Sequence, residues 1–331
     1  MEGATGIDVS MLKGKKLLNM DSEEEGVMLA SCAGGCRADV KLPVERETVS
    51  GTKLTVSLSG LTGGHSGSEI DKGRGNANTL MSRLLRDASA PVAIASIDGG
   101  RKDNAIPREC TAQIIVASDE AAAVKASIEQ AAAEIAQEFK TSDPDLKLTV
   151  SEETDCSESA ISAKDSARVI ALIEALPNGI IRMSREIDKL VETSLNLGVL
   201  KSDDTAVTLR YAVRSSVGVA KKSLKNQLVC IAGAFAAEVT FEGDYPAWEY
   251  KKDSKLREDM VRIFEEMYGK KPTVEAIHAG VECGLLSGKI EGLDCISMGP
   301  DMYDIHTTEE RLSISSAKRS YEYILRVIAC K

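Results

Sequence analysis

Residues 53–59, Lys-Leu-Thr-Val-Ser-Leu-Ser, alternate polar and apolar without a break, the period of a strand with one buried face. Shorter apolar runs stand at 16–20 and 26–30. Further strands are expected at 91–97, 110–117, 147–150, 205–213, 238–241, 273–277 and 293–298. Between them the period lengthens to that of helices. Residues 76–87 read as a helix capped by Asn76, and 121–139 as an Ala-rich amphipathic one. The helix at 165–176 is stopped by Pro177-Asn178-Gly179. Others are expected at 219–236 and 256–268. A last helix, 309–328, is expected to start from the capping box Thr307-Thr-Glu-Glu310. Its apolar positions Ile314, Ala317, Tyr321, Leu325 and Ile328 fall at helical spacing.

The order of these elements suggests two units in 331 residues, a length beyond one ordinary core. Residues 47–249 alternate strand and helix and are expected to build their own sheet with helices on one face. "EGDYPAWEY" (242–250) marks the crossing back. Residues 1–46 and 250–331 then form a second α/β unit interrupted by the first.

Composition removes several classes of function. Apolar content of 43% and charged content of 28% are ordinary for a globular chain. A net charge of −10 argues against nucleic acid as a partner. No apolar stretch is long enough to span a bilayer, and the first residues lack a secretory pattern, so the expected location is cytoplasmic. The eight cysteines are scattered and read as free thiols. Cys32 and Cys36 could be half of a zinc site, but no second close pair completes it.

Candidate chemistry gathers at the few histidines. His65 is one of three, and it lies in "LTGGHSGSEI" among glycines. It is either a solvated residue of a tight turn or an imidazole projected for a task. "GHSGS" departs from the nucleophile elbow G-x-S-x-G at Ser68, which weakens a serine-hydrolase reading. Asp21 follows an apolar run and reads either as a strand-end metal ligand or as an acidic surface turn. His306 lies in a loop and reads as a metal ligand or a solvated histidine. Arg214 ends a strand, where its fork suits a carboxylate; the alternative is a surface arginine. Asn104 sits in a connection between two strands. His278 and Glu282 stand four apart, but no HExxH is present and their roles stay open.

Taken in order, "LLNMDSEEEG", "GLTGGHSGSEI", "GRGNAN", "GGRKDNAIPRE", "VRSS", "GDYPAW", "IHAGVECGLL" and "GLDCISMGPDMYDIHTTEERLSI" resemble the aminoacyl-histidine dipeptidases. These are the PepD-like branch of the M20 metallopeptidases, also called cytosolic non-specific or Xaa-His dipeptidases. The resemblance runs from Met1 to the last helix. It implies an α/β catalytic domain of zinc-peptidase type with an inserted α+β lid and dimerisation domain, residues 47–249. It implies a homodimer through that lid, dipeptide substrates, and two zinc ions per active site, with manganese or cobalt as alternatives. By motif, Asp21 and His306 match metal ligands. Asn104 and Arg214 match substrate-binding residues, Arg214 at the carboxylate. His65 matches the lid histidine that polarises the scissile carbonyl.

The chain also departs from the family pattern. The H-x-D motif, the bridging aspartate and the "DEE" pair are absent, and "MEGATG" falls where the family continues after that pair. The expectation is a chain lacking the N-terminal half of its catalytic domain and inactive by itself. The alternative is a non-catalytic dimerisation and binding module.

Overall fold

The computed structural model describes residues 2–305 and 307–330. The chain opens with α1 (Glu2–Gly6), β1 (Lys16–Asn19), β2 (Val27–Cys32), β3 (Gly34–Pro43), β4 (Arg46–Ser59) and β5 (Gly64–His65). There follow α2 (Ala77–Arg86), β6 (Ala93–Gly99), β7 (Ala105–Ile106), β8 (Cys110–Val116), α3 (Ala121–Glu138) and β9 (Lys147–Ile161). Next come α4 (Ala163–Ala175), β10 (Gly179–Met183), β11 (Val191–Ser202), β12 (Ala206–Ser215), α5 (Gly218–Ala234) and β13 (Glu238–Tyr245). The chain then forms α6 (Lys255–Tyr268), β14 (Thr273–Ile277), α7 (Glu282–Lys289), β15 (Asp294–Ser297), β16 (Met302–Tyr303), β17 (Arg311–Leu312) and α8 (Ile314–Ala329). The mixed α/β class is the one the sequence points to.

Two sheets carry the fold. The larger is antiparallel, in the order β13-β3-β12-β11-β6-β8-β4-β9, with β10 also paired to β11. Its inner face is built by period-two alternation. Leu54, Val56 and Leu58 of β4 are fully buried, and their polar neighbours face outward. Burying each such side chain contributes roughly 1.5–3 kcal/mol. Helices α2, α3, α4 and α5 add Leu80, Leu84, Val124, Ile128, Val169, Leu172 and Leu228 to that core. The Asn76 side chain accepts the N–H groups of Asn78 and Thr79, so α2 starts where its cap predicts.

The larger sheet takes in β3, which lies before the expected boundary at residue 47. Cys36, Ala38, Val40 and Leu42 alternate with Arg37, Asp39 and Lys41 and bury on its inner side. Both partners of β3, β12 and β13, come from the far end of the inserted segment, so this strand joins the sheet by long-range pairing.

The smaller sheet has the order β1-β15-β2-β14. One face packs Met28, Ala30, Ile296 and Met298 against Met260, Ile263 and Phe264 of α6 and Tyr323 and Val327 of α8. The other packs Cys32 and Cys295 against Cys283 of α7 and Trp248. The two sheets meet where the chain crosses between them. Cys32 and Trp248 exchange backbone hydrogen bonds of 3.0 and 3.1 Å, and Ala33 N–H donates to the Ile277 carbonyl at 3.1 Å.

The last helix departs from expectation twice. It begins at Ile314, capped by the Ser313 hydroxyl accepting from Ser316 N–H. The Thr307 hydroxyl instead holds a local turn, accepting from Glu309 N–H, and Arg311–Leu312 pairs with Met302–Tyr303. The helix also buries Ser316, Ser320, Tyr323 and Val327, whereas Ile314, Tyr321, Leu325 and Ile328 are exposed. Tyr323 decides the rotation. Its ring meets Phe264 edge-on at 5.4 Å, and its hydroxyl donates to the Met260 carbonyl at 2.7 Å.

Candidate functional site

The turn that carries His65 is tied at its base and open at its tip. Asp143, almost fully buried, accepts Thr62 N–H and Gly75 N–H, both at 2.8 Å, and so clamps the two ends of the loop. Within the loop Glu69 accepts His65 N–H at 2.8 Å and pairs with Arg74 at the same distance. Gly63 and Gly64 both take positive φ, 64° and 139°, which side chains resist. The Nδ1 atom of His65 accepts the N–H groups of Gly67 and Ser68, each at 3.2 Å. In the neutral ring the proton therefore resides on Nε2. Burial and the nearby Arg214 charge hold His65 below the usual histidine range, with Glu69 opposing in part. The imidazole is a neutral donor at pH 7.

Asn104 is brought to the same place. β5 pairs with β7, setting His65 opposite Ala105, and Ser66 N–H donates to the Asn104 carbonyl at 2.9 Å. The Asn104 side chain is exposed. Its loop is pinned from below by Asn196 of β11, whose amide donates to the carbonyls of Asp103 and Ala105 at 3.0 and 2.9 Å.

Arg214 lies in a row that crosses four strands. Ser194 of β11 pairs with Arg214 of β12, Arg214 with Gly35 of β3, and Gly35 with Tyr245 of β13. Directly paired residues share a face, and this one is opposite the core face of Leu195, Val213 and Cys36. Gly35 leaves the space that Tyr245 fills, since a Cβ there would lie 2.7 Å from the Tyr245 hydroxyl. That hydroxyl stands 3.5 Å from Arg214 Nη1. Among the described residues no carboxylate pairs with Arg214, and its Nε is buried without a hydrogen-bond partner. The guanidinium is half-buried, with a buried Nε that lacks an acceptor, so an anion on this face would complete its hydrogen bonding.

His278, whose role the sequence left open, closes the group. It follows β14 of the smaller sheet and is 6% exposed. Its Nε2 lies 2.7 Å from the Ser194 hydroxyl, and its Nδ1 is buried without a partner. Burial first, then the Arg214 charge, push its pKa down to about 3, with the Val191 carbonyl opposing in part. The turn of His65 rests against the same segment. A Cβ on Gly67 would sit 2.6 Å from the His278 carbonyl oxygen and 3.0 Å from the His65 ring, so only glycine fits there. Two histidines from two sheets thus face one arginine.

Asp21 is exposed just past β1, and His306 lies outside the described residues. Among the described residues no three His, Cys, Asp or Glu side chains gather as a metal site would require. Cys36 is buried on the core side of β3, with no partner cysteine for a zinc site. The Ser66 hydroxyl is buried and unpartnered, so no base activates it as a nucleophile. Glu282 opens α7, four residues from His278, which points instead at Ser194. Among the described residues no helix is long and apolar enough to cross a membrane.

Three comparisons bear on this arrangement. A family model for the M20 peptidase dimerisation domain matches residues 56–143. The cytosol non-specific dipeptidase of Escherichia coli (strain K12) is 34% identical over 320 residues, covering 96% of this chain and 66% of that protein. The crystal structure of aminoacylhistidine dipeptidase from Vibrio alginolyticus superposes with a TM-score of 0.92 at 32% identity, covering 99% of this chain and 68% of that one. The chain therefore spans about two thirds of the length of these relatives.

Proposed function

The chain belongs to the M20 peptidases, in the branch of the aminoacyl-histidine and cytosol non-specific dipeptidases, and from that membership we propose that it serves the hydrolysis of dipeptides. The observation that carries this reading is the neutral His65 beside an Arg214 without an anionic partner. Arg214 binds the substrate carboxylate through two of its N–H groups. The exposed Asn104 amide binds the peptide at the rim. The Nε2–H of His65 donates to the scissile carbonyl oxygen as negative charge grows there, an interaction worth roughly 3 kcal/mol. Residues 47–249, with β3 completing their sheet, act as lid and dimerisation domain of a cytosolic homodimer, so that His65 serves the site of its own or the neighbouring subunit.

Members of this family are generally metal-dependent. When bound, the metal would polarise the carbonyl and lower the pKa of a water. We assign Asp21 and His306 as ligands, with zinc the expected ion. Two donors fall short of a two-metal centre, and the described residues by themselves hold no cluster of three His, Cys, Asp or Glu side chains. On this basis the chain by itself binds dipeptide without turning it over. The shortfall of donors also favours a second reading, a binding and dimerisation module without catalysis.

Elemental analysis after dialysis against limiting zinc, with a dipeptidase assay on the same sample, tests the proposal. Expected are less than one zinc per chain, no turnover, and dipeptide binding that Arg214→Gln abolishes. Two zinc ions per chain with turnover would refute the incapacity and retain the hydrolytic reading. Binding indifferent to Arg214→Gln would overturn the substrate assignment in both readings.

A further inference from the structure

The inference below rests on the reading of Arg214 as the carboxylate-binding residue and concerns what stands beside it. Ser194 and His278 are absent from every role assigned so far. Ser194 is directly opposite Arg214 in the β11–β12 ladder, on the same face of the sheet, and 1% exposed. Its hydroxyl is 2.7 Å from His278 Nε2. The ring that holds it comes from the other sheet, so the contact exists only because the two sheets are docked.

The direction of this hydrogen bond follows from the charge nearby. An anion seated on Arg214 presents only acceptors. The Ser194 hydroxyl can then satisfy it only by donating its own hydrogen. Its oxygen must at the same time accept from His278 Nε2–H. The ring is neutral beside the guanidinium and carries a single proton; the relay requires it on Nε2, where Ser194 Oγ lies 2.7 Å away, and not on Nδ1, which makes no hydrogen bond although the Val191 carbonyl lies near the ring. A chain of donors results: His278 Nε2–H to Ser194 Oγ, and Ser194 O–H to the bound oxygen. On the other flank Arg214 is met by the Tyr245 hydroxyl at 3.5 Å. Burial holds that phenol protonated, so it too offers a hydrogen.

We propose that His278 and Ser194 form a relay that selects for a free carboxylate at the Arg214 site, with Ser194 as donor and His278 as the positioning residue that turns it. A C-terminal amide places an N–H₂ in this shell of donors and loses at least one hydrogen bond there. The pair therefore sets specificity for peptides that end at the second residue, since a longer or blocked peptide carries an amide at that point. No bond is made or broken, and no proton leaves either residue.

The test uses the whole chain with ¹⁵N-labelled histidine, of which it holds three, and two probes, Gly-Leu and Gly-Leu amide. Expected is an Nε2–H tautomer at His278 whose nitrogen signal moves on titration with Gly-Leu and stays still with the amide. Ser194→Ala should abolish that movement and weaken Gly-Leu about tenfold, weakening the amide by a smaller factor and so narrowing the preference between the two probes. His278→Leu should do the same, and His278→Gln, which keeps a donor near the Nε2 position, should restore most of the affinity. A merely structural role for His278 would give no such rescue and no discrimination between the probes. If Arg214→Gln weakens Gly-Leu but Ser194→Ala does not, or if His278 carries its proton on Nδ1, the relay is wrong and the Arg214 assignment stands. If neither probe binds, or Arg214→Gln changes nothing, both fall.

Discussion

His278 is held neutral in a place where protonation would bury a second cation beside Arg214, and this has a consequence for stability. Its pKa in the folded chain, about 3, lies below the ordinary 6.5. Between those values the unfolded chain binds a proton that the folded chain refuses. Stability from this residue is therefore complete above pH 6.5 and falls as pH drops toward 3, at about 1.4 kcal/mol per unit. From pH 7 to pH 5 the loss is about 2 kcal/mol. His65, depressed in the same direction, adds a smaller term of the same sign. Urea midpoints at the two pH values should show most of this difference in the parent and little of it in His278→Gln. Equal slopes in the two proteins would mean that the folded chain protonates His278 freely.

At the scale of the element, the loop that presents His65 depends on one carboxylate. Asp143 accepts the backbone N–H groups at both ends of that loop and is almost fully buried. Asp143→Ala should cost about 3 kcal/mol and speed amide exchange at 62–75, leaving β4 unchanged; Asp143→Asn, which keeps one acceptor, should cost about half. Uniform loss of protection throughout the larger sheet would show that the clamp holds the core and not the loop. Nothing in the sequence flags Asp143, which reads as one more residue of the polar run Thr141-Ser142-Asp143-Pro144. The same limit explains what was legible. His65 stands out by its glycine surroundings, Asn104 and Arg214 only through the family motifs that contain them, and β4, α2 and β14 by period and cap. β11 does not show a strand period because its polar members Ser194 and Asn196 are themselves buried, by hydrogen bonds to residues more than eighty positions away. β3 alternates regularly, but both of its partner strands come from far along the chain.

For the whole molecule, α8 shows how far a local period can mislead. The stripe Ile314, Ala317, Tyr321, Leu325 and Ile328 has the spacing of a buried face, yet Ile314 is 86% and Ile328 67% exposed in this chain. The helix is rotated so that Tyr323 and Val327 meet α6 and the smaller sheet, because the Phe264 edge contact and the Met260 hydrogen bond fix that register. The exposed side chains add little to the stability of the chain and much to its tendency to self-associate, since contiguous apolar surface seeks cover. A net charge of −10 opposes close approach only weakly at physiological salt, where charges are screened within about 8 Å. The double variant Leu325→Glu, Ile328→Lys should therefore shift stability by less than about 0.5 kcal/mol. In the same helix Val327→Ala, at a 7% exposed position, should cost roughly 2 kcal/mol. Sedimentation velocity should show the double variant losing species larger than a dimer and keeping the dimer itself, whose proposed interface is on the larger sheet. A loss above 2 kcal/mol in the double variant would mean that the stripe is covered in solution, and that its surroundings belong to the folded unit.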